Sequence, residues 1–267
     1  MEIIQDTLEW HQWRLSGIGA SDVAAVMGIC PYNTRHGVWL VKTGRSKGFA
    51  GNSFTEHGKV MENAARARYE IQTMIDMVPS CATHPVYKHC LASLDGWNEE
   101  LKKILEIKCP KTRTVIDAAL AGQVAEHYIP QVQFQLGVAG GDDLDFFVFH
   151  EESKQDALVN VKPDLELQGK MFAAVEDFWT QYVLTDIEPP LTNRDVKICQ
   201  DPRLMRLADR LADSKSLSKP VIDQLKADFI AIGGHSKVRC GRVLVSEVNR
   251  AGKFSYHKLT VGNENGN

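Results

Sequence analysis

Residues 90–96 read CLASLDG and residues 104–110 read ILEIKCP, and these two apolar stretches decide the fold. Stretches of this length and composition, joined by a polar turn, predict the two strands of a β-hairpin. Because side chains two residues apart in a strand share a face, Glu106 and Lys108 are expected to point the same way. The hairpin therefore groups two carboxylates, those of Asp95 and Glu106, with one lysine.

This trio has the chemistry of a metal-dependent phosphodiester site. Carboxylates supply the oxygen ligands that Mg²⁺ prefers, and a neighbouring Lys108 would orient or deprotonate the attacking water. The alternative is a chance pairing of Glu and Lys, since the same spacing occurs at residues 100–102 and 152–154. Those two pairs lack an apolar strand around them, which favours solvated surface charges there.

Composition predicts a globular protein with one large domain, or one domain with an appendage. The 267 residues are 43% hydrophobic and 24% charged, values typical of globular chains. The N-terminal residues lack the pattern of a signal peptide, and no apolar run approaches the length of a membrane span, so we expect a cytoplasmic protein. The six cysteines contain no Cys-x-x-Cys pair, so neither a zinc site nor a disulfide framework is predicted.

Charge is unevenly distributed along the chain. The formal net charge of −3 argues against general coating of nucleic acid. Between Lys102 and Arg113, however, five basic residues stand against one acid, Glu106. A basic surface beside an acidic metal site suits phosphodiester chemistry. A solvated turn followed by a helix start is the alternative.

An upstream segment carries a second candidate site. Ser21 is predicted to be the N-cap of a helix that Gly28 ends. A helix start presents free N–H groups, so Ser21 with Arg14 nearby would suit a phosphate. The alternative is an ordinary cap beside a surface arginine.

Two predicted helices flank the hairpin in sequence. The first spans residues 55–73 and carries Glu62 and Arg66, whose spacing also fits an exposed ion pair of little energetic weight. The second, over residues 127–139, places several amides near its start. Helices packed around a mixed sheet give an α/β or α+β architecture.

The chain is expected to comprise a core domain at residues 1–192 and a basic extension at residues 193–267. From residue 200 onward, twelve lysines and arginines stand against seven acids. The extension is predicted to contain helices at 201–212 and 220–232, then strands at 238–248 and 254–261 around a turn at 250–253. It would strengthen the hold on DNA, dock a partner protein, pack on the core, or build an oligomer.

Six motifs in one order resemble the phage lambda exonuclease family, also called YqaJ-like viral recombinases, within the PD-(D/E)xK nuclease superfamily. They are Trp-His-x-x-Arg at 10–14, Ala-Ser-Asp-Val at 20–23, Gly-Lys-Val-Met-Glu-Asn at 58–63, Ser-Leu-Asp-Gly at 93–96, Glu-Ile-Lys-Cys-Pro at 106–110 and Gln-Val-Gln at 131–133. The resemblance covers roughly residues 8–185. One departure is Leu94, where a proline often precedes the aspartate.

The resemblance implies a restriction-endonuclease-like core, with a central mixed sheet flanked by helices. It also implies a Mg²⁺-dependent enzyme, with Mn²⁺ as a possible substitute, that digests linear duplex DNA from a 5′ end and leaves a 3′ single strand. The implied metal ligands are the side chains of Asp95 and Glu106 and the carbonyl of Ile107, and Glu62 would complete the acidic cluster and help to hold a second metal through water. Lys108 would activate the attacking water, and Gln133, with Gln131 behind it, would line the same site.

The resemblance further implies that Arg14, Ser21 and Ser93 hold the terminal 5′-phosphate, with Gln131 also on the DNA side. A phage or prophage protein acting in the bacterial cytoplasm with a single-strand annealing partner is implied, and some relatives imply a ring-shaped homotrimer. Two alternatives stay open. One is a nicking or structure-specific endonuclease on the same core, and the other is a DNA-binding recombination adaptor that has lost catalysis.

Overall fold

The computed structural model describes residues 3–48, 51–250 and 253–262. The chain divides into two compact units, Met1–Pro189 and Pro190–Asn267. The first unit carries the predicted hairpin, and the second carries the basic extension. Within the described residues, no helix is both long enough and apolar enough to cross a membrane.

The first unit alternates helices with strands. Its helices are α1 (Leu8–Leu15), α2 (Val23–Val26), α3 (Arg35–Lys42), α4 (Ser53–Thr73), α5 (Arg113–Leu120), α6 (Ile129–Ala139) and α7 (Leu165–Phe178). Its strands are β1 (Ile18–Gly19), β2 (Val78–Thr83), β3 (Cys90–Asn98), β4 (Lys103–Lys108), β5 (Asp143–His150) and β6 (Gln155–Val161). The hairpin prediction is confirmed as β3 and β4.

The described strands of the first unit form one mixed sheet. β1, β3, β4, β5 and β6 follow one another across it, and β2 also pairs with β3. The β1–β3 and β4–β5 pairs are parallel, whereas the β2–β3, β3–β4 and β5–β6 pairs are antiparallel. Helices cover both faces, so the predicted α/β architecture with a central mixed sheet is confirmed.

The two edges of β3 are used differently. One edge pairs with β2 between Leu91 and Trp97. The other edge pairs with β1 at Cys90 and Leu91 and with β4 from Gly96 onward. Between these contacts, residues 92–95 have no strand partner on that edge among the described residues. We call the opening between residues 92–95 and the facing end of β4 the fork.

The two faces of the sheet pack into separate apolar clusters. Ile104 and Phe146 belong to the cluster formed with α2, α3, α5, α6 and α7. Their chain neighbours Leu105 and Phe147 belong to the cluster formed with α4 on the opposite face. This alternation is the two-residue period of a strand covered on both sides. It places Glu106, one residue beyond Leu105, on the same face as Ile104 and α6.

The second unit packs two helices on a four-stranded sheet. The helices are α8 (Pro202–Ala212) and α9 (Lys219–Gly233), and the strands are β7 (Lys197–Ile198), β8 (Lys237–Cys240), β9 (Val243–Arg250) and β10 (Lys253–Val261). The sheet order is β10-β9-β8-β7, with β7 and β8 parallel and the other pairs antiparallel. Leu204, Leu211 and Phe229 are fully buried in its core.

The prediction of one continuous strand over residues 238–248 is wrong. The chain turns at Gly241, whose φ of +54° is readily adopted by glycine, and the segment forms the hairpin of β8 and β9. The predicted pairing with the last strand is confirmed by β9 and β10. Part of the turn predicted at 250–253, namely residues 251 and 252, lies outside the described residues.

Gly96 lies where the sheet leaves no room for a side chain. A Cβ at this position would lie 2.7 Å from Cβ of Met77 and 3.1 Å from Cβ of Leu105. We therefore expect Gly96→Ala to lower the free energy of unfolding by about 1–3 kcal/mol through overpacking. In α4, a Cβ at Gly58 has no neighbour within 4 Å outside its own helix turn. Gly58→Ala should accordingly raise the free energy of unfolding by about 0.5–1 kcal/mol.

Urea denaturation followed by tryptophan fluorescence measures both variants. A Gly96→Ala protein as stable as the wild type would contradict the close packing of β3 against β4.

Candidate active site

The fork leaves main-chain groups of β3 without a strand partner, and side chains bind them instead. Nε2 of Gln135 donates to the Ser93 carbonyl at 3.1 Å, and Nε of Arg66 donates to the Asp95 carbonyl at 2.8 Å. Across the fork, Oδ2 of Asp95 accepts a 2.7 Å hydrogen bond from the N–H of Ile107. A carboxylate thus spans the gap that a continuous strand ladder would close.

Glu106 is almost completely buried, with 1% of its surface exposed. Its Oε1 accepts hydrogen bonds from Nε2 of Gln131 at 2.6 Å and from Nζ of Lys108. Its Oε2 accepts from Nε2 of Gln135 at 2.6 Å. A carboxylate loses its hydration when it is buried, and that loss is costly unless donors replace the water. The three side chains on β4 and α6 provide those donors.

Lys108 lies beside Glu106, which confirms that the two side chains share a face of β4. Its Nζ also lies 4.9 Å from the centre of the Tyr128 ring. Burial alone would lower the pKa of Lys108, but the carboxylates of Glu106 and Asp95 raise it above its ordinary value. The amine is therefore held in its cationic form, as a hydrogen-bond donor.

The prediction that Gln133 lines the same site is wrong. Nε2 of Gln133 donates to the Lys162 carbonyl at 2.8 Å, and its Oε1 accepts from the N–H of Asp164 at 2.8 Å. Successive residues of a helix are rotated by about 100°, so Gln131 and Gln135 share a face of α6 whereas Gln133 points away from it. Gln135 is absent from the predicted site residues, although its position four residues after Gln131 places it on the same face of a helix.

Glu62 of α4 reaches the same region. Its Oε1 accepts a 2.7 Å hydrogen bond from Nη2 of Arg66, with which it forms an ion pair. The alternative of an exposed ion pair is wrong, because the Arg66 side chain is only 12% exposed and also binds the Asp95 carbonyl. Burial raises the pKa of Glu62 above its ordinary value, Arg66 opposes this effect, and Glu106 adds to it.

The three residues expected to hold a phosphate are connected through one indole. Nε1 of Trp10 donates to Oγ of Ser93 at 2.9 Å. The Arg14 guanidinium lies 5.1 Å from the centre of the Trp10 ring and donates to Oγ of Ser21 at 2.9 Å. The motif at residues 10–14 thus contributes a positioning side chain as well as the arginine.

Ser21 is not the N-cap that the sequence predicted. The four-residue helix α2 begins after Asp22, whose carboxylate lies 2.9 Å from Nζ of Lys42 and 3.8 Å from Nη2 of Arg14. Burial alone would raise the pKa of Asp22, but Lys42 and Arg14 lower it below its ordinary value. Asp22 therefore remains anionic and anchors Arg14, which also donates to the exposed Ser21.

Both groups of predicted site residues line one cavity of about 180 Å³. From the hairpin and the two flanking helices, its lining includes Glu62, Asp95, Glu106, Lys108 and Gln131. From the upstream segment and the start of β3, it includes Trp10, Arg14, Ser21 and Ser93. Ile107 contributes its main chain beside Asp95, while its side chain packs in the apolar cluster on the α4 face.

The acids of the cavity suit a hard divalent cation that retains water ligands. Burial raises the pKa of Asp95 well above its ordinary value, and the nearby carboxylates of Glu106 and Glu62 raise it further. A cation would relieve this crowding of negative charge. Over residues 3–48, 51–250 and 253–262, no three acid, histidine or cysteine side chains are grouped as a complete metal site. Mg²⁺ fits such a partial donor set, because it usually binds one or two carboxylates and keeps several waters.

A mixed sheet that forks between an aspartate and a Glu-x-Lys pair defines the restriction-endonuclease-like class of fold. The particular family follows from the sequence model of the YqaJ-like viral recombinase domain, which matches residues 9–142. The chain belongs to this family.

Relatives share both the sequence pattern and the fold. An uncharacterized protein YqaJ from Bacillus subtilis strain 168 is 28% identical over 187 residues, which cover 68% of this chain and 58% of that protein. The match thus spans less than two thirds of that relative's length. An alkaline exonuclease from Laribacter hongkongensis, solved also in complex with dAMP, is 28% identical with a TM-score of 0.60, covering 68% of this chain and 95% of that one.

A phage-related exonuclease from Haemophilus somnus 129PT is 13% identical with a TM-score of 0.51, covering 64% of this chain and 95% of that one. At this level of identity the likeness shows the fold alone.

The crowded carboxylates make a pH-dependent contribution to stability. Because the pKa of Asp95 is raised in the folded protein, the wild type loses stability as pH rises through that folded-state pKa. In a buffer with a chelator at pH 7, Asp95→Asn should therefore raise the free energy of unfolding by on the order of 1 kcal/mol. The gain should disappear below about pH 4, where Asp95 is protonated in both states.

Asp143 provides a control of opposite sign. Burial opposes ionisation there, but hydrogen bonds from Lys103 and Lys162 lower the pKa of Asp143 below its ordinary value. Asp143→Asn should therefore destabilise the protein at pH 7, and the loss should fade toward acid pH. Urea titrations between about pH 3 and pH 8 measure both variants, and a destabilised Asp95→Asn protein at pH 7 would contradict the crowding of charge at the fork.

Proposed function

We propose that the protein is a metal-dependent nuclease that digests linear duplex DNA from 5′-phosphorylated ends and leaves 3′ single-stranded overhangs. The observation that carries the proposal is the shared cavity. It combines acids and a lysine suited to phosphodiester hydrolysis with an arginine and two hydroxyls suited to a terminal phosphate. Binding a terminal phosphate beside the hydrolytic groups is a direct way to select ends over internal positions.

The family and its solved relatives support this activity class. The Laribacter hongkongensis relative is an alkaline exonuclease, and its complex contains dAMP, a mononucleotide of the kind that exonucleolytic cutting releases. The family is described as viral recombinases, which supports a role in phage-type homologous recombination.

Different residues of the site have different proposed roles, namely metal binding, positioning of water and orientation of a carboxylate. Asp95, Glu106 and the Ile107 carbonyl would hold Mg²⁺ or Mn²⁺, with Glu62 acting through water. The bound cation supplies Lewis-acid stabilisation of charge on the phosphodiester. Lys108, held cationic, activates the attacking water by positioning it. Gln131 and Gln135 keep the Glu106 carboxylate oriented, as groups that orient metal ligands do.

The proposal includes a setting and partners. The substrate is linear duplex DNA in the cytoplasm of a bacterial host, and the gene is of phage or prophage origin. A single-strand annealing protein is the expected partner for the 3′ overhang, and a homotrimer is the expected assembly.

A duplex with a 5′-phosphate at one end and a 5′-hydroxyl at the other tests the activity. With Mg²⁺ we expect loss of the phosphorylated strand from its 5′ end, and no loss with a chelator. Lys108→Ala should reduce the rate by at least about a hundredfold, the scale of removing a positioned catalytic group. Lys102→Ala should leave the rate unchanged, because Lys102 belongs to the exposed Glu-x-Lys sequence at the hairpin turn.

A covalently closed circle is the second substrate for that experiment. Cutting of the circle would show that the protein is an endonuclease and would contradict the proposed exonuclease activity. Tight binding of both DNAs without cutting of either would indicate an inactive adaptor.

Arg14 is expected to set the preference for phosphorylated ends. Arg14→Ala should reduce the ratio of rates on 5′-phosphate and 5′-hydroxyl ends by about tenfold or more, since a charge-assisted hydrogen bond contributes about 1.5–3 kcal/mol. Lys59→Ala is the matched control, because Lys59 lines the same cavity but its Nζ is paired with Asp6 at 2.7 Å. If Arg14→Ala left the ratio of the two rates unchanged, the assignment of Arg14 to the 5′-phosphate site would be wrong.

A further inference from the structure

The two units of the chain carry opposite net charge. Residues 1–189 contain 17 lysines and arginines against 26 acids, for a formal net charge of −9. Residues 190–267 contain 14 against 8, for a formal net charge of +6. A surface with net negative charge repels a polyanion at long range, whereas a positive one attracts it. On net charge alone, the second unit is the part of the chain that attracts a polyanion such as DNA.

Part of this positive charge lines a groove on the second unit. The groove has a volume of about 510 Å³ and lies between α8 and α9. Its apolar lining comes from Leu207, Ala231 and Ile232. Its charged lining comes from Arg203, Arg206 and Arg210 of α8, with Asp228 as the single acid. The Asp228 carboxylate accepts a 2.8 Å hydrogen bond from Gln224.

The three arginines form a line along one side of α8. At about 100° per residue they fall within an arc of about 60°, and at 1.5 Å per residue the line is about 10 Å long. Arg203 is paired with Asp201, at 2.7 Å. Neither Arg206 nor Arg210 has a carboxylate within 4 Å among the described residues, and both are exposed. Two guanidinium groups are thus available to an anionic ligand.

We propose that this groove binds the phosphate backbone of duplex DNA, the substrate of the proposed function. A duplex carries a charge at every 3.4 Å of rise on each strand, so a line of arginines about 10 Å long faces more than one phosphate. Arginine is suited to this role, because its planar fork binds phosphate oxygens bidentately. The groove increases the affinity for DNA without reading its sequence.

The composition of the groove favours a duplex over a single strand. Proteins that bind single strands stack the bases on aromatic side chains. No aromatic residue lines the groove in the described part of the chain. A duplex keeps its bases stacked internally and presents phosphates at a higher charge density.

The test is equilibrium binding of the full chain to a blunt 30-base-pair duplex in a chelator, which prevents cutting. Arg206→Gln with Arg210→Gln should weaken binding about tenfold at 50 mM salt. Removing two phosphate contacts makes the slope of log K against log salt shallower by about 1.8, so the tenfold loss should almost disappear at 200 mM salt. Arg206→Lys with Arg210→Lys should retain most of the affinity and the slope.

The control is Arg239→Gln with Lys258→Gln, which removes the same charge from exposed positions of the same unit outside the groove. It should have a clearly smaller effect, and thermal melting should show that all variants fold. The same binding is measured with single-stranded DNA and with polyglutamate. Equal losses of duplex affinity in the two double-glutamine variants would overturn the proposal. A loss of affinity only for single-stranded DNA, or only for polyglutamate, would also overturn it. Because no cutting is measured, a failed nuclease test with groove-dependent duplex binding would reject the proposed function and retain the groove.

Discussion

The burial of one carboxylate, that of Glu106, governs the arrangement of the first unit. A carboxylate placed inside a sheet loses its water and must be given hydrogen-bond donors. Lys108, Gln131 and Gln135 provide them. This requirement aligns α6 against β4 and fixes the face that α6 presents to the sheet. The fork of β3 and β4 meets the same requirement for main-chain groups, since Gln135 and Arg66 bind the carbonyls that no strand reaches.

The cavity is divided electrostatically. On the hairpin side, burial raises the pKa of Asp95 and Glu62, and the neighbouring carboxylate of Glu106 raises both further. On the upstream side, Arg14 is held by Asp22 and the ring of Trp10. A phosphodiester chain that enters such a cavity meets the positive charge of Arg14 at one end. At the other end it meets carboxylates whose repulsion a bound cation would relieve. The polarity of the site is therefore built from residues far apart in sequence, such as Arg14 and Asp95, which the β1–β3 pairing helps to bring together.

Short-range patterns predicted much of this architecture. The apolar stretches at 90–96 and 104–110, joined by a polar turn, predicted the hairpin, and the two-residue period of a strand predicted the shared face of Glu106 and Lys108. The errors came where a local pattern had to be combined with a tertiary contact. The Gln-Val-Gln motif points to Gln133, whereas the helical period places Gln135 on the face of Gln131.

Ser21 is a common capping residue, but the ion pairs of Asp22 with Lys42 and Arg14 place the helix start one residue later. The split of residues 238–248 into two strands depended on the conformation of Gly241. No periodicity in the sequence indicates that Arg66 serves Asp95 as well as Glu62, since the Asp95 carbonyl reaches it only through the fold.

The fork also has an evolutionary consequence. In a continuous ladder, any adjustment of one strand against the next requires a register shift, and a shift of one residue turns every side chain to the opposite face. Here the interval at residues 92–95 is held by side chains, so a single substitution at Gln135 or Arg66 alters the spacing of the branches and leaves the register intact. The geometry of the fork can therefore change in small steps while the register of the sheet stays the same.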